Sequence, residues 1–231
     1  MSIPQLPLAL RSTPDQRLET FIAPPEGLLA QLRALALAAE ADWLYLAGAH
    51  GTGKTHLALA TCAVAQQAGR AASYVPLMAA RGHLAQLLEG QESFDLVALD
   101  GLEAIAGERA DEIALFDFHN RARAAGIGVL YTAVDLPHEI GLVLPDLRSR
   151  LQQCARSALP VLDDAGRAEV LRDRAQRRGL VLEPAAIDWL LSRTGRELEH
   201  LVRLLDQLDR ASLAAQRRVT VPFLRQVLGP R

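Results

Sequence analysis

The sequence predicts an α/β protein: a parallel five-stranded sheet flanked by helices, followed by a small all-helical unit. Three observations carry that expectation. Short apolar runs alternate with helical patterns from about residue 43 to residue 163, as in a parallel sheet whose crossovers are helices. One of those runs leads directly into a glycine-rich loop and then an Ala/Leu-rich helix. After Asp163 and Asp164 the strand-like runs stop, and only helical patterns follow.

Residues 1–20 hold Pro4, Pro7 and Pro14 among mixed polar residues and read as a mobile arm. Within it Gln5, Leu6, Pro7, Leu8, Ala9 and Leu10 form an unusually apolar hexapeptide. A helix is expected over 26–39, with leucines at 28, 29, 32, 35 and 37. The run Trp43, Leu44, Tyr45, Leu46, Ala47 is the first strand, and the helix beyond the glycine-rich loop runs to about Gln67, ended by Gly69. A second strand is expected over 71–75 and a helix over 77–88, with Gly82 inside it. The run FDLVAL at 94–99, ending in Asp100, has the continuous apolar character of a strand buried on both faces. A helix over 111–124 turns Ile113, Leu115, Phe116 and Phe118 inward and Arg121 and Arg123 outward. The fourth strand is GVLYT at 128–132, and ALPVL at 158–162 supplies the fifth. Helices over 165–178, 184–193, 197–215 and 221–227 complete the chain, punctuated by Gly179, Gly195 and Pro222. The expected organisation is an arm (1–20), an α/β base (21–163) and a helical lid (164–231).

The glycine-rich loop carries the chemistry. Gly48, Ala49, His50, Gly51, Thr52, Gly53, Lys54 and Thr55 fit GxxxxGK[ST], placed between a strand and a helix as a phosphate-binding loop requires. Glycines let successive backbone N–H groups converge on one phosphate, and the helix adds its positive end at the same point. Lys54 is the contact expected for the β/γ-phosphates and the Thr55 hydroxyl a ligand for Mg²⁺, so ADP or ATP with Mg²⁺ is the expected cofactor. Gly48, Gly51, Thr52, Gly53 and His56 complete the nucleotide-contacting stretch. The competing reading, a flexible turn with a surface lysine, fits poorly with composition. Lys54 is the only lysine beside 24 arginines, so a compact ammonium is kept at the one place where a planar guanidinium does not fit.

Asp100, at the end of a strand well downstream, is the expected second metal-holding group beside Thr55. The residue after it is Gly101, where hydrolases of this type place a glutamate; Glu103 comes two residues later. Weak intrinsic hydrolysis follows. Arg148, Ser149 and Arg150 lie after the fourth strand, read as a loop at the edge of the base. An arginine there can complete a neighbouring molecule's site, or simply pair with Asp146. Arg196 opens the third lid helix and can report on bound nucleotide, or be one of the many arginines of that region.

Formal net charge is −2, which excludes the chain as a whole from electrostatic nucleic-acid binding. Thirteen arginines follow Asp164, leaving open a local basic face or an ordinary solvated helix surface. Cys62 and Cys154 lack metal-ligand spacing and read as free thiols. With no basic-plus-apolar leader and no apolar run near the ~20 residues needed to span a bilayer, a soluble cytoplasmic protein without membrane partners is expected.

Taken together, GAHGTGKTH, FDLVALD, LRSR and TGRELE resemble AAA+ proteins of the DnaA type, and within them the Hda family, regulatory inactivators of the replication initiator DnaA. The resemblance covers nearly the whole chain, including LDQLDRAS at 205–212 and QLPLAL at 5–10. It implies that Arg150 is an arginine finger acting in trans and Arg196 a second sensor. It also implies that the hexapeptide binds the sliding clamp (the β subunit of DNA polymerase III), with Gln5 in a polar pocket and Leu6, Leu8 and Leu10 along an apolar groove. DnaA and the clamp are then the partners, DNA is met through the clamp, and homo-oligomer formation stays open. The implied function is an ADP-bound adaptor that makes DnaA hydrolyse its ATP. Two positions depart from the pattern: Val134 stands where the first sensor usually has Asp, with Asp135 one residue late, and Gly101 replaces the second acidic residue. The alternative is a DnaA-like or helicase-loading ATPase acting directly on DNA or helicase. That reading expects a DNA-binding domain beyond the lid or a helicase-binding N-terminal domain. A small-molecule kinase, the third reading, has no use for the helical lid.

Overall fold

The sheet assembles from β1 (Leu44–Ala47), β2 (Ala72–Pro76), β3 (Leu96–Asp100), β4 (Gly128–Ala133) and β5 (Ala155–Ala158), all parallel, in the order β2-β3-β4-β1-β5. This computed structural model describes residues 17–38, 42–193, 198–215 and 219–229. The three central strands are covered on both faces, which is why they are written as unbroken apolar runs. Alternating side chains feed two cores. Trp43, Tyr45, Val97, Leu99, Val129 and Tyr131 enter one, with Leu115 and Phe118 of α5 (Arg109–Ala125) and Leu147 and Leu151 of α6 (Pro145–Gln152). Leu44, Leu46, Leu96, Ala98 and Leu130 enter the other, with Leu32 and Leu35 of α1 (Leu28–Leu37) and Leu57 and Cys62 of α2 (Lys54–Gln67).

Placing β4 between β1 and β3 decides where chemistry can occur. Ala47 pairs with Ala133, and Leu99 with Tyr131, so the carboxyl ends of three strands lie side by side. The loop after β1 and Asp100 at the end of β3 are brought to opposite sides of Thr132.

Several expectations need correction. The fifth strand is Ala155–Ala158, not 158–162; it is an edge strand, so its polar Arg156 and Ser157 are accommodated there. Leu159 beyond it is buried, whereas Val161 is 61% exposed. The expected helix 77–88 is two short pieces, α3 (Leu77–Ala80) and α4 (Leu84–Leu87), separated where Gly82 adopts φ +82°. In α5 the inward stripe starts with two acids: Asp111 and Glu112 are buried while Ile113 is 42% exposed. Asp111 accepts from the N–H groups of Gly82 (2.7 Å) and Leu84 (3.4 Å), which is what makes its burial tolerable. The segment 145–152 is a helix rather than a loop, with Pro145 at its start and Leu147 and Leu151 one turn apart facing the core. The end of the expected arm is also fixed: Leu18–Thr20 forms a 3₁₀ turn with Leu18 and Thr20 buried.

The chain divides into two compact units between Pro160 and Val161. The second contains α7 (Asp164–Arg177), α8 (Pro184–Arg193), α9 (Leu198–Ala215) and α10 (Val221–Leu228). Its own core joins Leu171, Ile187, Leu190, Leu201, Leu205 and Leu224. Asp163 caps α7 by accepting from Gly166 N–H at 2.8 Å, and Thr220 caps α10. Among the described residues, no helix is long and apolar enough to cross a membrane.

Candidate functional site

The loop between β1 and α2 has the backbone that its glycines permit. Gly51 and Gly53 take φ +79° and +92°, values that strain any residue with a Cβ. A Cβ on Gly48 would stand 2.7 Å from Thr52 Oγ1 and 2.9 Å from the Leu159 carbonyl. One on Gly53 would stand 2.6 Å from the Phe21 ring. Thr52 is buried, and its hydroxyl donates to the Ala49 carbonyl at 2.9 Å, bracing the loop from within.

Lys54 opens α2 and is only 8% exposed. Its ammonium donates to the loop carbonyls of Gly48 and, at 3.0 Å, Ala49. Burial lowers its pKa, while the charges of Glu103, Asp100 and Asp135 push it back up. A buried cation held over a cradle of backbone groups is what an incoming phosphate needs.

Opposite it stands Asp100. Its Oδ2 accepts from the Thr55 hydroxyl at 2.8 Å and from the Tyr74 hydroxyl at 2.8 Å, and its Oδ1 accepts from Thr132. Burial raises the Tyr74 pKa, and the Asp100 charge adds to the effect, so Tyr74 stays a donor. Thr132 is fully buried and also receives the Gly101 N–H at 3.0 Å. The Thr55 hydroxyl and the Asp100 carboxylate therefore meet at one point and form an all-oxygen donor pair suited to a hard divalent cation. These residues fit Mg²⁺.

Sequence reasoning passed over two contributors here and left the direction of a third open. Thr132 and Tyr74 carry no motif; their only signal is a polar group inside or beside an otherwise apolar strand. Glu103 turns back toward the strand ends: its Oε2 accepts from Val134 N–H at 3.1 Å, and its charge acts on Lys54. Gly101 has φ +87°, so the turn between Asp100 and Glu103 uses glycine's freedom. His56 engages the N-terminal segment. Its Nε2 lies 2.8 Å from the Arg17 carbonyl and 3.4 Å from Thr20 Oγ1, and its ring meets Phe21 edge-on at 5.6 Å.

Arg150 belongs to the last turn of α6 and is exposed; among the described residues neither it nor Arg148 forms an ion pair. The pairing with Asp146 is therefore not present. The chain leaving α6 enters the sheet at Ala155, which pairs with Leu44 at the start of β1, whereas the phosphate loop leaves the end of that strand. Arg150 thus precedes the amino-terminal end of β5, whereas its own phosphate loop leaves the carboxyl end of the neighbouring strand β1. Gln5, Leu6, Leu8, Leu10 and Arg196 lie outside the described residues.

Comparison with known proteins agrees with this geometry. Residues 164–228 match the family model described as the Hda lid domain. The chain superposes on domain III of the Thermotoga maritima replication initiation protein DnaA with a TM-score of 0.76 at 18% identity, covering 94% of this chain and 99% of that one. For AMPPCP-bound DnaA from Aquifex aeolicus the TM-score is 0.68 at 24% identity, covering 88% and 70%. For the Thermotoga maritima RuvB Holliday junction branch migration motor it is 0.64 at 19% identity, covering 92% and 71%. The fold is that of an AAA+ α/β base followed by a helical lid.

Proposed function

We propose, for a Hda-like, DnaA-homologous AAA+ protein, that the chain is a nucleotide-bound adaptor whose business is a partner's ATP rather than its own. ADP, or ATP, is held by the loop 48–55 and Lys54, with Thr55 and Asp100 holding Mg²⁺; the ion, when bound, offsets charge on the β- and γ-phosphates. The apolar hexapeptide containing Gln5, Leu6, Leu8 and Leu10 tethers the protein to the sliding clamp, and thereby to DNA. Arg150 enters the site of ATP-bound DnaA and stabilises the charge that develops on the transferring γ-phosphate.

One observation carries this reading: Arg150 is exposed, without an ion-pair partner among the described residues, and precedes the amino-terminal end of β5, opposite to the strand ends from which its own phosphate loop leaves. An arginine so placed neutralises no carboxylate of its own chain among the described residues. Its own site supports the same division of labour, since the position after Asp100 is a left-handed glycine and Glu103 is engaged by the Val134 N–H. The neighbouring DnaA structure described as AMPPCP-bound supports a nucleotide in the loop.

The test is the conversion of DnaA-bound ATP to ADP in the presence of this protein, clamp and DNA. Arg150→Ala should abolish the stimulation, a loss of about 10³-fold or more, as for other arginine fingers, while leaving nucleotide and clamp binding intact. Arg150→Lys should restore little, because an ammonium lacks the planar fork. Arg148→Ala is the control. Full stimulation by Arg150→Ala would overturn the proposal.

A further inference from the structure

Among the described residues Glu112 is the most deeply buried acid of the base, with no exposed surface, and it takes part in neither the phosphate loop nor the Thr55–Asp100 pair. Its partners show what it does. Oε1 accepts the N–H of Gly107 at 2.8 Å and of Val143 at 3.0 Å, and Oε2 accepts the N–H of Leu144 at 2.7 Å. A carboxylate is an acceptor-only group with room for these three donors, so its burial is compensated only while all of them stay in place. Two of the three belong to the loop that enters α6, and Leu144 is the N-cap residue of that helix.

The helix that carries Arg150 is short, eight residues, and Leu144 just before it also packs against the core. Its core contacts come from Leu147 and Leu151, and its N-cap makes no side-chain cap hydrogen bond. Leu147 and Leu151 set which face turns inward; the grip of Glu112 on Val143 and Leu144 sets where the helix begins and how it tilts. Arg150 is six residues beyond Leu144, about 9 Å along the axis, so a tilt at the cap is carried to the guanidinium as a displacement of ångströms. In a reaction where a 1 Å misplacement costs about 100-fold, that matters.

We propose that Glu112 is the positioning residue for Arg150: from the first turn of α5 it clamps the start of α6 and so aims the arginine at the partner's γ-phosphate. This inference rests on the reading of Arg150 as a finger acting in trans. Glu112→Gln keeps the shape but replaces one acceptor oxygen by a donor, which opposes an N–H that Glu112 now receives.

The experiment runs Glu112→Gln and Arg150→Ala side by side in the ATP-conversion assay with the full chain, clamp and DNA, at saturating protein. Amide hydrogen exchange and ADP affinity are measured on the same samples. Expected for Glu112→Gln are an approximately tenfold or greater loss of the saturated rate, half-saturation and ADP affinity within about twofold of wild type, and faster exchange at Val143 and Leu144 but not across 48–60. A purely structural role would instead lower ADP affinity and the saturated rate together, and that result overturns the inference. An unchanged rate for Glu112→Gln, with Arg150→Ala inactive, also overturns it while leaving the finger standing. If Arg150→Ala is fully active, the finger reading itself fails. Should Glu112→Gln not fold, Glu112→Asp, which keeps the charge but retracts it by one methylene, decides on the same readouts.

Discussion

The phosphate loop and helix α6 occupy the same unit, yet they are built in opposite ways. The loop supports itself: Thr52 braces Ala49, Lys54 bonds the carbonyls of Gly48 and Ala49, and the glycines satisfy a backbone no other residue would adopt. Helix α6 is held from outside, by Glu112 of α5 at its start and by the core beneath Leu147 and Leu151. A self-braced site is written contiguously and can be read as a motif. A helix held by a distant carboxylate leaves no such local trace in the sequence.

The largest effect separating the two regions should come from Lys54. Lys54→Ala removes the sequence's only ammonium and should weaken ADP and ATP binding by at least about 100-fold, the scale of one or two charge-assisted hydrogen bonds. Exchange at Val143 and Leu144 should not change. Equilibrium titration with a fluorescent nucleotide and exchange on the same sample check both halves; coupled changes would break the distinction.

On the α6 side, His119 gives a pH signature. It is 3% exposed, lies 3.0 Å (Nδ1) from the Tyr131 hydroxyl, and packs edge-on against Trp43. Burial first, then the charges of Arg123 and Arg150, push its pKa down to about 4. The folded protein therefore keeps His119 neutral while the unfolded chain takes up a proton near the ordinary 6.5. The associated stability is present above pH 6.5 and is lost as pH falls toward 4, a loss of the order of 3 kcal/mol. Urea unfolding at pH 7 and pH 4 should show that difference shrinking in His119→Gln. An identical pH dependence in the two proteins would refute the assignment.

A smaller effect sharpens the account of the loop itself. Gly53→Ala faces two penalties, a φ of +92° and the Phe21 ring 2.6 Å from the new Cβ. Nucleotide affinity should fall about tenfold, the scale of 1–3 kcal/mol for a left-handed non-glycine. Adding Phe21→Ala should recover only part of it, because the ring is removed and the backbone strain is not. Complete recovery would mean that the clash alone matters.

A change of similar size is expected for Thr132→Val. It leaves Asp100 Oδ1 and Gly101 N–H without their shared hydroxyl and should cost about 1–3 kcal/mol of stability, read as a lowered urea midpoint. The Mg²⁺ dependence of nucleotide affinity should shift with it, since Asp100 is then less firmly oriented. No shift would remove Thr132 from the metal-holding arrangement.

What was legible in the chain follows the same division. Residues 43–55 and 94–100 declare the strands, the loop and the carboxylate at the end of β3, because buried central strands must be apolar and the tight turns of the loop favour glycine. β5 was misplaced by three residues, since Ala155–Ala158 pairs through its backbone and shows no apolar run, while ALPVL only looks like a strand. α6 was hidden by its length, although Pro145 followed by Leu147 and Leu151 is a usable signal. Glu112 was read past because an acid at a helix start ordinarily faces water; only the fold reveals the three N–H groups waiting for it.

The place of β4 in the sheet also bears on how the protein acquires its site. Leu44 of β1 pairs with Leu130 on one side and Ala155 on the other, partners more than eighty residues away along the chain. Pairings of that span close late in folding, since loop entropy opposes them until the intervening structure exists. The cradle and Asp100 therefore come together only when the unit is essentially complete. On the proposed function, nucleotide then recognises finished molecules alone, and each tenfold excess over its dissociation constant adds about 1.4 kcal/mol to their stability. A cell supplied with nucleotide would accumulate this protein folded, and a loop that cannot bind would lower its abundance before any partner is met.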